Sequence, residues 1–175
     1  MSWRGAALPL ICAGLLSGCV SDKAGLDFSS VSQKVGPPKP GQSRVVVLQE
    51  KPSGLVEYCA CDMKLDGAPI GMSKAGTYIY ADRPAGRHTL TATELLFPGE
   101  TTREITTAPG RTYFFLARSG KRHNTVNGMA LIGGLAGAAV ASVATAGSEN
   151  PGPIDLFPLD ESAARTTLAG LQLAE

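Results

Sequence analysis

Between Ser43 and Arg118 the chain is divided into short β-forming runs by turn signals about every ten residues, with no stretch between them long enough for a helix. Arg44–Gln49 (RVVVLQ) is rich in β-branched residues. Residues 58–65 alternate, with Cys59, Cys61, Met63 and Leu65 on one face and Tyr58, Ala60, Asp62 and Lys64 on the other. Asp66-Gly67 then forms a tight turn, because both residues tolerate positive φ. A short piece around Ile70 follows, then TYIYAD (Thr77–Asp82), HTLTATE (His88–Glu94), a polar edge run at Thr101–Thr107 and RTYFFLAR (Arg111–Arg118). The turns between them carry Gly76, Pro84-Ala85-Gly86, Pro98-Gly99 and Pro109-Gly110. About seven strands in some 75 residues predict a mainly β fold for 43–118, a small antiparallel β-sandwich or partly open barrel. Parallel pairing is disfavoured, since no crossover helix is available.

Three of these segments, RVVVLQ, LDGAPIGMSKAGTYIYADRPAGRHTLTA and APGRTYFFLA, resemble the DUF2846 family of bacterial lipoproteins. The order of elements is also similar to PEGA-type and transthyretin-like β-sandwich modules. The most specific part is the pairing of LDGxxIG with PAGRHTL, and the resemblance covers roughly residues 43–118. It implies a fold and an envelope location. It brings no activity and no catalytic residues.

Upstream, Arg4 precedes an apolar run, Ala6–Leu16, too short to span a bilayer and of the right length for a signal segment. The run ends in Leu16-Ser17-Gly18-Cys19, which resembles the lipobox cut by the lipoprotein signal peptidase. That resemblance implies removal of residues 1–18, a diacylglyceryl thioether on the Cys19 sulfur and acylation of its new amino group. Val20 in the next position implies sorting to the outer membrane, facing the periplasm. Residues 19–42 are polar and proline-stiffened around Gly36-Pro37-Pro38-Lys39-Pro40-Gly41, the composition of a tether. Loss of Arg4 from the 16 basic residues balances the 15 acidic ones, so nothing electrostatic favours a nucleic-acid partner.

Residues 119–148 change character. A basic cluster, Arg118, Lys121, Arg122 and His123, reads either as a solvated loop or as a contact for acidic headgroups. Gly128–Gly147 (GMALIGGLAGAAVASVATAG) then runs without a charge. On one continuous helix its large residues gather on one side, and Gly133, Gly134, Gly137, Ala138 and Ala141 line the other as a Gly-zipper packing face. Serial glycine costs about 1 kcal/mol per residue in helix propensity, so a packing partner is needed. A membrane span would reverse the positive-inside bias, because Glu149, Asp155, Asp160 and Glu161 follow it. The expectation is therefore hairpin-like or self-associating insertion into the anchoring membrane, or a helix packed on its own β-domain. Residues 149–175 read as a Pro-rich loop followed by a short helix capped by Asp160, with Ala164, Leu168 and Leu171 as its apolar stripe.

The chemistry-bearing residues are few. Cys59 and Cys61 lie on an apolar face and suit core packing or a structural disulfide. A soft-metal or redox role is the alternative, against which stands the lack of a second cysteine pair to complete about four ligands. His88 is near Asp82 and Glu94 only in sequence, and Tyr78, Tyr80 and Tyr113 suit packing better than a ligand face. No nucleophile elbow or phosphate loop is present. The expected function is a lipid-anchored, non-enzymatic binding or scaffolding module, without catalytic residues, cofactor or metal. Its expected contacts are membrane lipid through Cys19, a second copy through residues 128–147, or another envelope protein. A membrane-inserting or self-assembling role for the Gly-zipper segment is the runner-up, and a metal or redox protein using Cys59 and Cys61 a distant third.

Overall fold

The computed structural model describes residues 32–33, 36–51 and 59–174. The signal segment and Cys19 lie outside the described residues, as does Tyr58. Nine strands are found among those described, with two helices, and the fold is mainly β. The strands are β1 (Gln42–Gln49), β2 (Cys61–Leu65), β3 (Ala68–Ser73), β4 (Thr77–Pro84), β5 (Gly86–Glu94), β6 (Thr101–Thr107), β7 (Thr112–Ser119), β8 (Ile154–Leu159) and β9 (Gln172–Leu173). The helices are α1 (Lys121–Ala144) and α2 (Glu161–Leu168).

Two sheets face one another. One has the order β3-β2-β5-β6 and is antiparallel throughout; the other has the order β8-β7-β1-β4-β9 and is mixed. In the mixed sheet β1 lies antiparallel to β4 but parallel to β7, and β4 lies parallel to β9. The expectation of antiparallel pairing alone is corrected here. A parallel neighbour needs a long crossover, and the whole of the other sheet supplies it, because β2, β3, β5 and β6 lie in sequence between β1 and β7.

β1 explains the layering. Val45 and Val47 point into the space between the sheets with Met63, Leu65, Leu90 and Phe115. Val46 and Leu48 point the other way, beneath Ala164, Leu168 and Leu171. A strand covered on both faces reads as a continuous apolar run, as RVVVLQ does. Each of these four side chains is fully buried, contributing roughly 1.5–3 kcal/mol. Asp160 caps α2 as expected, its Oδ1 accepting from the Ala163 N–H at 2.8 Å.

The domain boundary at residue 118 is also corrected. Residues 154–159, expected in a loop, form strand β8 along β7, and Ile154 and Leu156 are part of the inter-sheet core. Pro158 is tolerated because β8 is an edge strand. The C-terminal residues 154–174 therefore belong to the sandwich, and the Gly/Ala segment is an insertion between two adjacent strands of one sheet.

Candidate functional site

α1 is not one continuous helix. Gly134 has φ 58° and ψ −148°, outside the helical region, and the chain reverses there. Few residues other than glycine adopt this backbone without strain. The reversal is recorded in contacts between the arms. A Cβ on Gly137 would collide with the backbone carbonyl of Met129. The Arg122 Nε donates to Thr145 Oγ1 at 3.1 Å, joining the first turn of one arm to the end of the other. Residues 121–144 thus form an antiparallel helical hairpin, with Val126 and Ala141 buried and Gly137 and Ala138 half-buried.

The Gly-zipper expectation is accordingly revised residue by residue. Gly137 permits close approach, but to the other arm of its own chain. Ala141 is buried and Ala138 half-buried, whereas Gly133 has nothing near it and Gly134 is the hinge. The large apolar side chains face outward: Leu131 is 72% exposed, Ile132 86%, Leu135 92% and Val143 78%. Leu95 and Leu96, in the β5–β6 connection, are likewise exposed.

The root of the hairpin is fixed by residues expected on a basic loop. Arg122 is buried, lies 5.0 Å over the Phe97 ring and donates to the carbonyls of Pro98 and Pro151. His123 is fully buried, stacks obliquely on Phe97 and has its Nε2 2.7 Å from Glu94 Oε2. Of the expected basic surface, Lys121 remains exposed and Arg118 is half-committed to Glu50 at 3.1 Å. The local pattern could not reveal this, because the partners of Arg122 come from the β5–β6 connection and the segment after the hairpin.

Cys59 and Cys61 are joined as a disulfide and fully buried. Register places Cys61 directly opposite Glu94 on β5, so the carboxylate already paired with His123 also lies beside the sulfurs. His88 finds neither carboxylate named from the sequence. Its Nδ1 stands 2.7 Å from Asp66 Oδ2 and its Nε2 2.9 Å from the Pro84 carbonyl. Asp66 sits in the β2–β3 turn with φ 55°, next to Gly67 at φ 77°, and its Oδ1 also accepts from the Thr89 N–H. Partial burial pushes the Asp66 carboxyl up, but the Thr89 amide and His88 outweigh it and hold the group below its ordinary range.

In the mixed sheet, Arg44 is buried and grips Asp82 with two bonds of 2.7 and 2.8 Å. This fork raises its already high pKa. The tyrosines do not converge: Tyr78 and Tyr80 pack in the layer under α2, and Tyr113 packs in the inter-sheet core. The Tyr113 hydroxyl accepts from the Ala108 N–H.

A family model described as "Protein of unknown function (DUF2846)" matches residues 39–129, just over half of the chain. No curated protein matches it.

Proposed function

The chain belongs to the DUF2846 family, and from that premise we propose a lipid-anchored, non-enzymatic module of the bacterial cell envelope that inserts an apolar helical hairpin into a membrane. One observation carries the reading. The hairpin leaves its large apolar side chains in solvent while its root is fastened by a buried arginine. Residues 124–148 contain no charged side chain. Removing an exposed Leu, Ile or Val side chain from water is worth roughly 1.5–3 kcal/mol, so several together outweigh the loss of freedom on docking. As one helix, α1 is long and apolar enough to cross a membrane. Broken at Gly134, its arms are about 20 and 15 Å long, short of the roughly 30 Å hydrocarbon core. Such a hairpin enters one leaflet and returns, which leaves the β-sandwich and the Cys19 anchor on the same side. The Leu16-Ser17-Gly18-Cys19 motif and the proline-rich segment 36–41 support attachment by a tether to that membrane, read here as the periplasmic face of the outer membrane.

Flotation of acyl-free chain, beginning at residue 20, with phospholipid vesicles tests this. The unaltered chain should float, and Ile132→Asp with Leu135→Asp should stay in the dense fraction with its β-type spectrum intact. If the unaltered chain does not float, membrane insertion fails. A second reading, assembly of copies through their hairpins, is favoured by the open space around Gly133. Crosslinked oligomers without vesicle binding would select it.

A further inference from the structure

Beneath the hairpin root, the two sulfurs of Cys59 and Cys61 and a carboxylate oxygen of Glu94 lie within 4.8 Å of one another. The sequence offers no second cysteine pair to complete a metal site. The fold supplies the missing ligand from another strand, through the register that sets Glu94 opposite Cys61. Glu94 Oε2 is itself buried and has no directed hydrogen-bond donor among the described residues, although His123 Nε2 stands 2.7 Å away. The Asn127 amide nitrogen lies 3.0 Å from the same ring nitrogen and competes for it. The carboxylate therefore has His123 as its neighbour and lies within 4.8 Å of both sulfurs, the arrangement of an anionic metal ligand with an outer partner.

We propose that reduction of the Cys59–Cys61 disulfide turns this cluster into a site for a borderline-soft divalent cation of the zinc class, with both thiolates and Glu94 as ligands. The disulfide form offers no anionic sulfur. An external dithiol delivers two electrons and two protons: the Cys59–Cys61 bond breaks, two thiols form, and the reductant leaves as its own disulfide. Binding of the cation then displaces both thiol protons to solvent. Two thiolates and one carboxylate give three protein ligands, and the fourth position lies open to water or a further donor. The Glu94 side chain is partly exposed, which gives an ion its route to sulfurs that are otherwise fully covered. His123 acts as a positioning residue, holding the carboxylate from behind. Since His123 belongs to the first turn of α1, the occupied site also braces the hairpin root.

The test uses the full chain in detergent, reduced with a dithiol, desalted without oxygen and titrated with zinc(II) or cobalt(II). About one zinc per reduced chain is expected, with none bound by the oxidised chain. Cobalt(II) should show thiolate charge-transfer absorption. Glu94→Gln should weaken zinc about tenfold or more with the β-type spectrum and the free-thiol count unchanged. His123→Gln should weaken zinc less while keeping the cobalt–thiolate absorption. Absence of zinc from reduced wild type, or zinc retained when Cys59 and Cys61 are both serine, overturns the proposal. Should the double serine variant fail to fold, Glu94→Gln decides: equal affinity for zinc in this variant and wild type overturns the three-ligand site.

Discussion

Arg122 is a buried cation with no carboxylate partner among the described residues. It is held by the Pro98 and Pro151 carbonyls, Thr145 Oγ1 and the face of Phe97. Methionine keeps much of the stem's packing but strands those oxygens, and hydrogen bonds to a charged group are worth about 1.5–3 kcal/mol each. Arg122→Met should therefore lower stability by about 3 kcal/mol, measured by denaturant unfolding, and should expose the hairpin to protease under native conditions. Lysine should not rescue it, because a single ammonium cannot reproduce the guanidinium fork. Asp66 makes a different prediction. Its carboxyl is held below its ordinary value of 3.8 by the Thr89 amide and His88. A lowered folded pKa gives stability that is complete above the unfolded value and fades as pH falls through the folded one. Acid unfolding of wild type should steepen below about pH 4, and Asp66→Asn should flatten that part of the profile. An unchanged profile would remove Asp66 from the acid response.

Among the elements, α1 separates two roles for glycine. Gly137 abuts the Met129 carbonyl, whereas Gly133 faces open space. Gly137→Leu should force the arms apart, with overpacking of about 1–3 kcal/mol. Spin labels at residues 125 and 144 should report a longer and broader distance distribution. Gly133→Leu should leave that distance unchanged. It should strengthen vesicle binding by adding apolar area at the tip, or block oligomers if copies meet there. Equal effects of the two substitutions on the distance between the arms would mean that Gly137 is not the contact joining them.

At the scale of the whole molecule, the chain closes its sandwich only after the hairpin has been made. β8 covers β7, α2 covers the outer face of β1, and β9 adds to β4. A chain ending at residue 148 would lose Ile154, Leu156, Ala164, Leu168 and Leu171 from the two cores. Residues 43–118, read from the sequence as the β-sandwich, therefore need the C-terminal residues to complete both cores. Truncation at 148 should give an aggregated or molten product, lacking cooperative unfolding in calorimetry. Deleting the hairpin and bridging its root with a short loop should preserve cooperative folding, since the tip has no place in either core.

The sequence by itself determined whatever depends on near neighbours. The alternation of Cys61, Met63 and Leu65, the Asp66-Gly67 turn, the buried run of β1 and the Asp160 cap all follow from backbone geometry and side-chain spacing within a few residues. Tertiary structure decided what depends on residues distant in sequence. A run with three prolines gave no sign that Ile154–Leu159 would be a strand, because its partner is β7, beyond the hairpin. A charge-free segment with several glycines did not reveal which one would hinge, since the choice of Gly134 is set by how the two arms meet the root. His88 and Asp66, Glu94 and His123, and the carbonyls around Arg122 came together for the same reason. Local pattern shows that a polar side chain must be satisfied, and only the packed chain supplies the partner.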